Sequence, residues 1–337
     1  MIDLRSDTVT RPTPAMLDAM MNARVGDDVF SEDPSINELE RKAADFFGME
    51  ASVFCPSGTM TNQIAINVHT RPGDEVICHP YSHIYVYEGG GMAFNSGCQP
   101  KFVQGERGLV KADDIEKAIA ADDVHAARTS LISVENTMNK GGGACYSIQQ
   151  LRDISEVATK HQLPFHLDGA RLANAIVAKN QNSKEYGLIF DSISFCLSKG
   201  LGCPVGSVLV GSERFIKESR RIRKKFGGGM RQAGFLAAAA IYALDHHLDR
   251  LEEDHRKAQE LKNALNNCDL VSHTDPVETN IVIFYLKDSD RQSEFLNTLK
   301  DKGILMVSMG EGKLRMVTHL DVSDEDISQV AQILKSL

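Results

Sequence analysis

Residues 164–202 read PFHLDGARLANAIVAKNQNSKEYGLIFDSISFCLSKGLG, and this stretch decides the fold. It opens on one apolar run, Pro164–Asp168, and closes on another, Ser192–Leu197. Both are short and bounded by polar or glycine residues, the pattern of buried strands. Asp168 ends the first run, and Lys199 lies just beyond the second, 31 residues further on. That spacing leaves room for one crossover helix between neighbouring parallel strands.

The same grammar continues on both sides. Ala51–Cys55, Glu75–His79, Ser130–Glu135 and Ser207–Val210 also read as strands, and stretches of helical period lie between many of them. In Ser35–Phe47, Ile36, Leu39, Ala43 and Phe46 share one face, with Asp33-Pro34 to start the helix and Gly48 to end it. Ser147–His161 is another helix. Alternating strands and helices imply an α/β fold, a large domain over residues 1–245 with a mainly parallel central sheet. Beyond residue 245 the pattern changes. A charged amphipathic helix over Leu248–Leu265, strands at Ile281–Leu286 and Leu314–Thr318, and a final helix from Ser323 predict a smaller α+β domain over 246–337.

Composition narrows the function classes. The net charge of −9 lacks the basic footprint of a nucleic-acid binder. The seven cysteines form no CxxC pair, so neither a disulfide framework nor a zinc knuckle is expected, and a reducing, cytoplasmic compartment fits. The opening MIDLRSDTVTRP has no apolar core for a signal peptide, and the most apolar run, Phe235 to Leu244, is too short to span a bilayer. There is no GxxxxGK[ST], no strand-GxGxxG-helix and no HExxH. His79 and His83 are separated by Pro80, which argues against a shared helix face, so no metal site is expected.

Three strand ends carry candidate chemistry. Phe54-Cys55-Pro56-Ser57-Gly58-Thr59-Met60 runs from a strand through small residues into a helix, either a phosphate cradle at a helix N-terminus or a plain cap on Ser57 or Thr59. Asp168 ends a buried strand and needs a strong partner, either Arg171 or a cationic ligand nitrogen. Lys199, with hydroxyl and glycine neighbours, is either a solvated surface lysine or, held partly dry at a strand's carboxyl end, one that can lose its proton and form a Schiff base. Together a cradle, a carboxylate and a lysine are the parts of a pyridoxal phosphate site. The cradle holds the phosphate, the carboxylate keeps the pyridine nitrogen protonated, and the lysine carries the aldehyde as an imine.

At these residues the chain resembles the low-specificity L-threonine aldolases, among the fold-type I pyridoxal phosphate-dependent enzymes. The likeness runs through IDLRSDTVTRP at 2–12, VGDDVF at 25–30, PSGTM, HLDGARLANA, CLSKGLGCPVGS, GGGMRQAG at 227–234 and LRMVTHLDVS at 314–323. It implies a fold-type I transferase-like fold and the retro-aldol cleavage of L-threonine and L-allo-threonine to glycine and an aldehyde.

The resemblance also implies roles. Lys199 would hold the cofactor and Asp168 its pyridine nitrogen. His83 would stack on the ring; it, or a water it orients, is the candidate base because an imidazole has a pKa near the operating pH, with His125, matching a histidine near the substrate in relatives, as rival. Gly58, Thr59 and Ser198 would bind phosphate, and Ser6, Arg171 and Arg315 the α-carboxylate, for which a guanidinium fork is suited. Lys224 and Arg231 would lie near the cofactor, in a segment that serves an adjacent subunit's site. Tyr87 would touch the aldehyde-derived side chain. The family's assembly implies a homo-oligomer, a dimer of dimers with sites at the dimer interface.

One position departs from the pattern. Many relatives read ENTHN where this chain reads Glu135-Asn136-Thr137-Met138-Asn139, and a thioether cannot exchange protons. Phenylserine cleavage or β-elimination would use the same lysine, aspartate and carboxylate grip, so these reactions are the nearest alternatives. A non-catalytic protein that kept the fold is a further one, which the presence of Lys199, Asp168 and Gly58-Thr59 opposes.

Overall fold

The computed structural model describes residues 1–337. A seven-stranded sheet forms its centre, in the order Ala51–Cys55, Ser207–Gly211, Ser192–Cys196, Phe165–Gly169, Thr129–Glu135, Glu75–Cys78, Gln99–Phe102. Ser207–Gly211 runs antiparallel to both its neighbours; the pairs from Ser192–Cys196 to Gln99–Phe102 are all parallel. The central strands are buried along their whole length, as expected of a sheet covered on both faces.

Local chemistry sets the helix ends. Asp33 accepts from the amides of Ser35 and Ile36, Pro34 begins the helix, and Gly48 closes it at φ 65°. Ser147 and Gln150 form a capping box before Ile148–Lys160, as do Ser323 and Asp326 before Asp324–Lys335. Along Pro34–Phe47 it is Phe47 that is fully buried, while Phe46 is partly buried and packs against the same core. The crossover between Asp168 and Lys199 holds two short helices rather than one, Leu172–Lys179 and Ser183–Ile189, because Asn180 takes a left-handed conformation between them. Gln99–Phe102 is an edge strand that its sequence, Gln-Pro-Lys-Phe, does not advertise.

Two large apolar cores result, with smaller clusters beside them. One of 40 residues includes the helix Gly234–His246, formed by the apolar run at 235–244. The second, of 21 residues, gathers Ile2 and Leu4 with residues from Ala258 to Leu334. The helix Leu251–Leu265 spans both: Leu251 packs in the first core, while Ala258, Leu261 and Leu265 pack in the second. The chain start joins the second core through Ile2–Asp3, which pairs in parallel with Ile304–Leu305. The small unit's sheet runs in the order Val307–Gly310, Lys313–Val317, Ile281–Leu286, Val271–Thr274 and is antiparallel. No helix is long and apolar enough to cross a membrane.

One buried ion pair ties an outer helix to the edge of the sheet. Arg223, in the helix Glu213–Lys225, lies 2.7 Å from the Asp28 carboxylate, with both side chains almost wholly buried, and donates to the Phe54 carbonyl at 2.7 Å. Removing one partner strands the other charge in a dry environment. Arg223→Met is therefore expected to lower unfolding stability by about 3–5 kcal/mol, measured by urea denaturation.

Candidate active site

The parallel strands bring their carboxyl ends to one edge of the sheet, and the polar residues meet there. Asp168 lies in register between Glu135 on one neighbouring strand and Ser194 on the other. Its carboxylate is 2% exposed and accepts from the Asn62 side-chain amide at 2.9 Å and the Ala170 amide at 3.1 Å. Arg171 does not pair with it, contrary to one sequence expectation; the Arg171 fork is turned to Asp7. Asp168 is thus a buried carboxylate held only by neutral donors, an arrangement that suits a cationic ligand nitrogen.

The cradle forms where Ala51–Cys55 leads into the helix Gly58–His69. Ser57 is the cap and accepts from the Met60 amide, so the first-turn amides at Gly58 and Thr59 have no helical acceptor. Nothing lies within 4 Å of where a Cβ on Gly58 would stand, which leaves the helix N-terminus open to an anion. Lys199 follows the strand Ser192–Cys196. Thr10 donates its hydroxyl to the Lys199 carbonyl at 3.2 Å and the Gly202 amide donates to it at 2.8 Å, fixing the turn. Ser198 lies beside Cys196 at 3.6 Å.

His83 begins a short helix over the same edge. Its backbone amide donates to Glu135 at 2.8 Å, and its Nδ1 meets Glu88 at 2.9 Å. Burial lowers the basicity of this imidazole, but the Glu88 hydrogen bond and the charges of Asp168, Glu88 and Glu135 outweigh it and raise the pKa. Tyr87 stands 5.5 Å from the His83 ring, and the Lys140 ammonium lies over the rings of Tyr81 and Tyr87. Burial, and then the charge of Asp168, push Glu135 up to about 7, and it also accepts the Asn139 amide. One ligand-type atom each from His83, Glu88 and Asp168 falls within 4.8 Å of the others. Asn62 donates to both carboxylates, which makes the group a hydrogen-bonded chain.

Two arginines make the opposite wall. Arg171 holds Asp7 through Nε and Nη2, each at 2.7 Å. Burial opposes ionisation of Asp7, but the Arg171 charge and hydrogen bonds hold its pKa at about 2. Arg315 donates to the Asn139 side-chain oxygen at 2.7 Å and to the Arg5 carbonyl at 3.0 Å, while its Nε is buried without a partner. Burial and the Arg171 charge bring the Arg315 pKa down to about 10. A buried guanidinium with no carboxylate and one idle N–H suits an incoming carboxylate. The Ser6 hydroxyl, next to Arg5, accepts from Thr8.

Three expected residues stay outside this cluster. His125 is exposed and bonded to Asp123, in the loop before the strand Thr129–Glu135. That is the amino end of the strand, about 20 Å from Glu135 at the usual rise per residue, so His125 does not join its own chain's site. The same loop lines a wide cleft of about 1160 Å³, which also takes in His69, Arg71 and His161. Size there does not mark the chemistry, since Asp168, His83 and Lys199 all lie at the other end of the sheet. Lys224 and Arg231 are on the surface, and Arg231 pairs with Asp27. Met138 is 1% exposed and packs against Gly108 and Gly141, so it fills space beneath the site.

Sequence reasoning missed Glu135, Glu88, Asn62, Asp7 and Asn139. For Glu135 a signal existed: an acidic residue ends a buried strand, as Asp168 does. The other four are set by tertiary contacts, and their neighbours in sequence give no hint of their partners.

A mixed α/β sheet with a lysine and an aspartate at its carboxyl edge and a separate small C-terminal sheet is the fold-type I architecture of pyridoxal phosphate-dependent enzymes. The beta-eliminating lyase family model matches residues 3–289. A probable low-specificity L-threonine aldolase 2 of Arabidopsis thaliana is 42% identical, with 100% of this chain and 97% of that protein covered. The low specificity L-threonine aldolase of Escherichia coli K12 is also 42% identical, with 98% and 97% covered. A solved threonine aldolase of Leishmania major superposes with a TM-score of 0.87 at 22% identity, covering 100% of this chain and 99% of that one. The chain belongs to the low-specificity L-threonine aldolase family, carbon–carbon lyases within the beta-eliminating lyases.

Glu135 makes the site sensitive to pH. Its pKa rises from 4.5 in the unfolded chain to about 7 in the fold, so between these values the folded state binds the extra proton. Its contribution to stability is complete below 4.5 and is lost as pH rises through about 7. Thermal melts across that range should show a smaller fall in Tm with rising pH for Glu135→Gln than for the wild type.

Proposed function

We propose that this protein cleaves L-threonine and L-allo-threonine into glycine and acetaldehyde with pyridoxal 5'-phosphate as cofactor. The observation that carries the reading is Asp168, buried with only neutral partners, at the same sheet edge as Lys199. The residues fit the cofactor. Gly58 and Thr59 offer open amides to its phosphate, with Ser198 alongside; Asp168 suits its pyridinium, and Lys199 its aldehyde. When bound, the cofactor supplies an electron sink for the pair released as the Cα–Cβ bond breaks.

The chain's own residues set the geometry. Arg315 takes the substrate carboxylate on its idle Nε edge. Arg171, with Nε and Nη2 committed to Asp7, backs that grip through charge and its remaining nitrogen, and Ser6 lines the same corner. Anchoring the carboxylate fixes rotation about Cα, which decides which bond is held for cleavage. His83 stands over the other side with Nε2 free and accepts the proton of the β-hydroxyl. Tyr87, half exposed beside His83, borders the space for the departing aldehyde.

The protein acts as a homo-oligomer, a dimer of dimers with its sites at the dimer interface. Supporting this, Met21, Val25, Val29 and Phe30 are exposed along one segment, and Val29 and Lys224 both flank Gly229. Lys224 and Arg231 thus adjoin an uncovered apolar stretch, where they can reach a neighbouring subunit's cofactor. All seven cysteines are unpaired and buried, which supports a cytoplasmic setting.

Lys199→Ala should abolish glycine formation and the borohydride-stable attachment of pyridoxal phosphate; normal turnover in that variant would refute the mechanism. Analytical ultracentrifugation should find a dimer or tetramer, and a fully active monomer would remove the shared-site reading.

A further inference from the structure

Glu88 has no part in the reaction as described, yet it is built into the site. Gly89 and Gly90 follow it at φ 62° and 75°, a conformation that lets the chain double back. The Gly91 amide returns to the Glu88 carbonyl at 3.0 Å, and a Cβ on Gly91 would lie 2.5 Å from the Gln63 side chain. The turn thus presses Glu88 inward, and its side chain is 0% exposed. Both carboxylate oxygens are used. Oε1 meets His83 Nδ1 at 2.9 Å and accepts from Asn62 at 2.9 Å; Oε2 accepts from Gln63 at 2.6 Å.

The direction of each bond follows from the inventory of donors. Asn62 gives its two N–H groups to Glu88 and Asp168, so its oxygen must accept from His166 Nε2, at 3.1 Å. His166 is kept neutral by burial, and its Nδ1 accepts from the Ser192 hydroxyl at 2.9 Å. A carboxylate oxygen only accepts, so the 2.9 Å contact between Glu88 Oε1 and His83 requires a proton on Nδ1. The imidazole over the sheet edge and Asp168 are therefore joined through the Glu88 carboxylate and the Asn62 amide.

We propose that Glu88 is a positioning residue of this site: its buried carboxylate holds the His83 imidazole as the Nδ1–H tautomer, leaving Nε2 for the substrate, and through Asn62 sets that ring at a fixed place relative to Asp168. A carboxylate behind the imidazole also strengthens it as a base. This rests on the aldolase reading for its kinetic consequences, but the tautomer does not depend on activity. The charged groups that face His83 are Glu88 from its own turn, Asp168 and Glu135 from the sheet, and Lys140 over Tyr87.

The test combines spectroscopy and kinetics on the cofactor-loaded enzyme. Nitrogen-15 NMR of histidine-labelled protein should show neutral His83 protonated on Nδ1; protonation on Nε2 would overturn the proposal in the wild type, with no variant needed. Glu88→Gln should lower the His83 pKa by about one unit or more. The acid limb of kcat/KM should move to lower pH with it, and kcat should fall about tenfold or more while KM for threonine stays within about twofold. In a His83→Asn background, Glu88→Gln should add nothing, since one residue acts through the other. Full additivity of the two substitutions, or a fall in kcat with an unmoved His83 pKa, would mean that Glu88 only supports the fold. Loss of wild-type activity in a chelator, restored by Mn²⁺, would show that His83, Glu88 and Asp168 hold a cation, and would equally overturn the proposal. Wild-type protein that forms no glycine from threonine would refute the aldolase reading, while the tautomer would still decide the role of Glu88.

Discussion

The buried ion pair between Asp7 and Arg171 is the contact on which the site depends. Arg171 follows the Asp168 strand, Asp7 lies in the N-terminal segment, and Asn280 of the small unit adds a third contact to the same carboxylate at 3.1 Å. Three parts of the chain, far apart in sequence, are joined at one carboxylate. Both charges are almost wholly buried, and each would be costly alone. The pair thus holds the N-terminal segment against the sheet edge, close to Lys199, whose charge reaches Asp7.

From that joint the electrostatics of the site divide. On the Arg171 and Arg315 side two guanidiniums face a space with a single buried carboxylate between them, a field made for an anion. On the His83 side three carboxylates, Glu88, Glu135 and Asp168, surround one imidazole, and the field favours a proton. A zwitterionic amino acid whose hydroxyl must lose a proton matches this division. Its carboxylate belongs with the arginines and its hydroxyl with the histidine.

The Met138 side chain is held by packing. The side chain is closed in by Gly108 and Gly141, and the glycines there are required by closeness: a Cβ on Gly108 would stand 2.4 Å from Met138. The adjacent Asn139 still spans the gap between Glu135 and Arg315. Met138 therefore fills space, while its neighbour Asn139 makes the polar bridge.

The alternation of apolar strands and periodic helices determined the α/β class, because a period of two or of 3.6 is written directly in the order of residues. It also placed Asp168, Lys199 and the Ser57–Thr59 turn at strand ends, since each stands next to its strand in sequence. The edge strand Gln99–Phe102 escaped, because none of its residues is buried and its apolar signal is weak. A short motif does not say which end of a strand it will occupy, and His125 lies before the amino end of the strand Thr129–Glu135. Only the tertiary structure decided that Arg171 takes Asp7 rather than Asp168, that Glu135 lies in register beside Asp168, and that Glu88 holds His83. The reason is physical: a strand end is a local property of the chain, whereas the partner of a buried charge is set by whichever distant segment folding brings within about 3 Å.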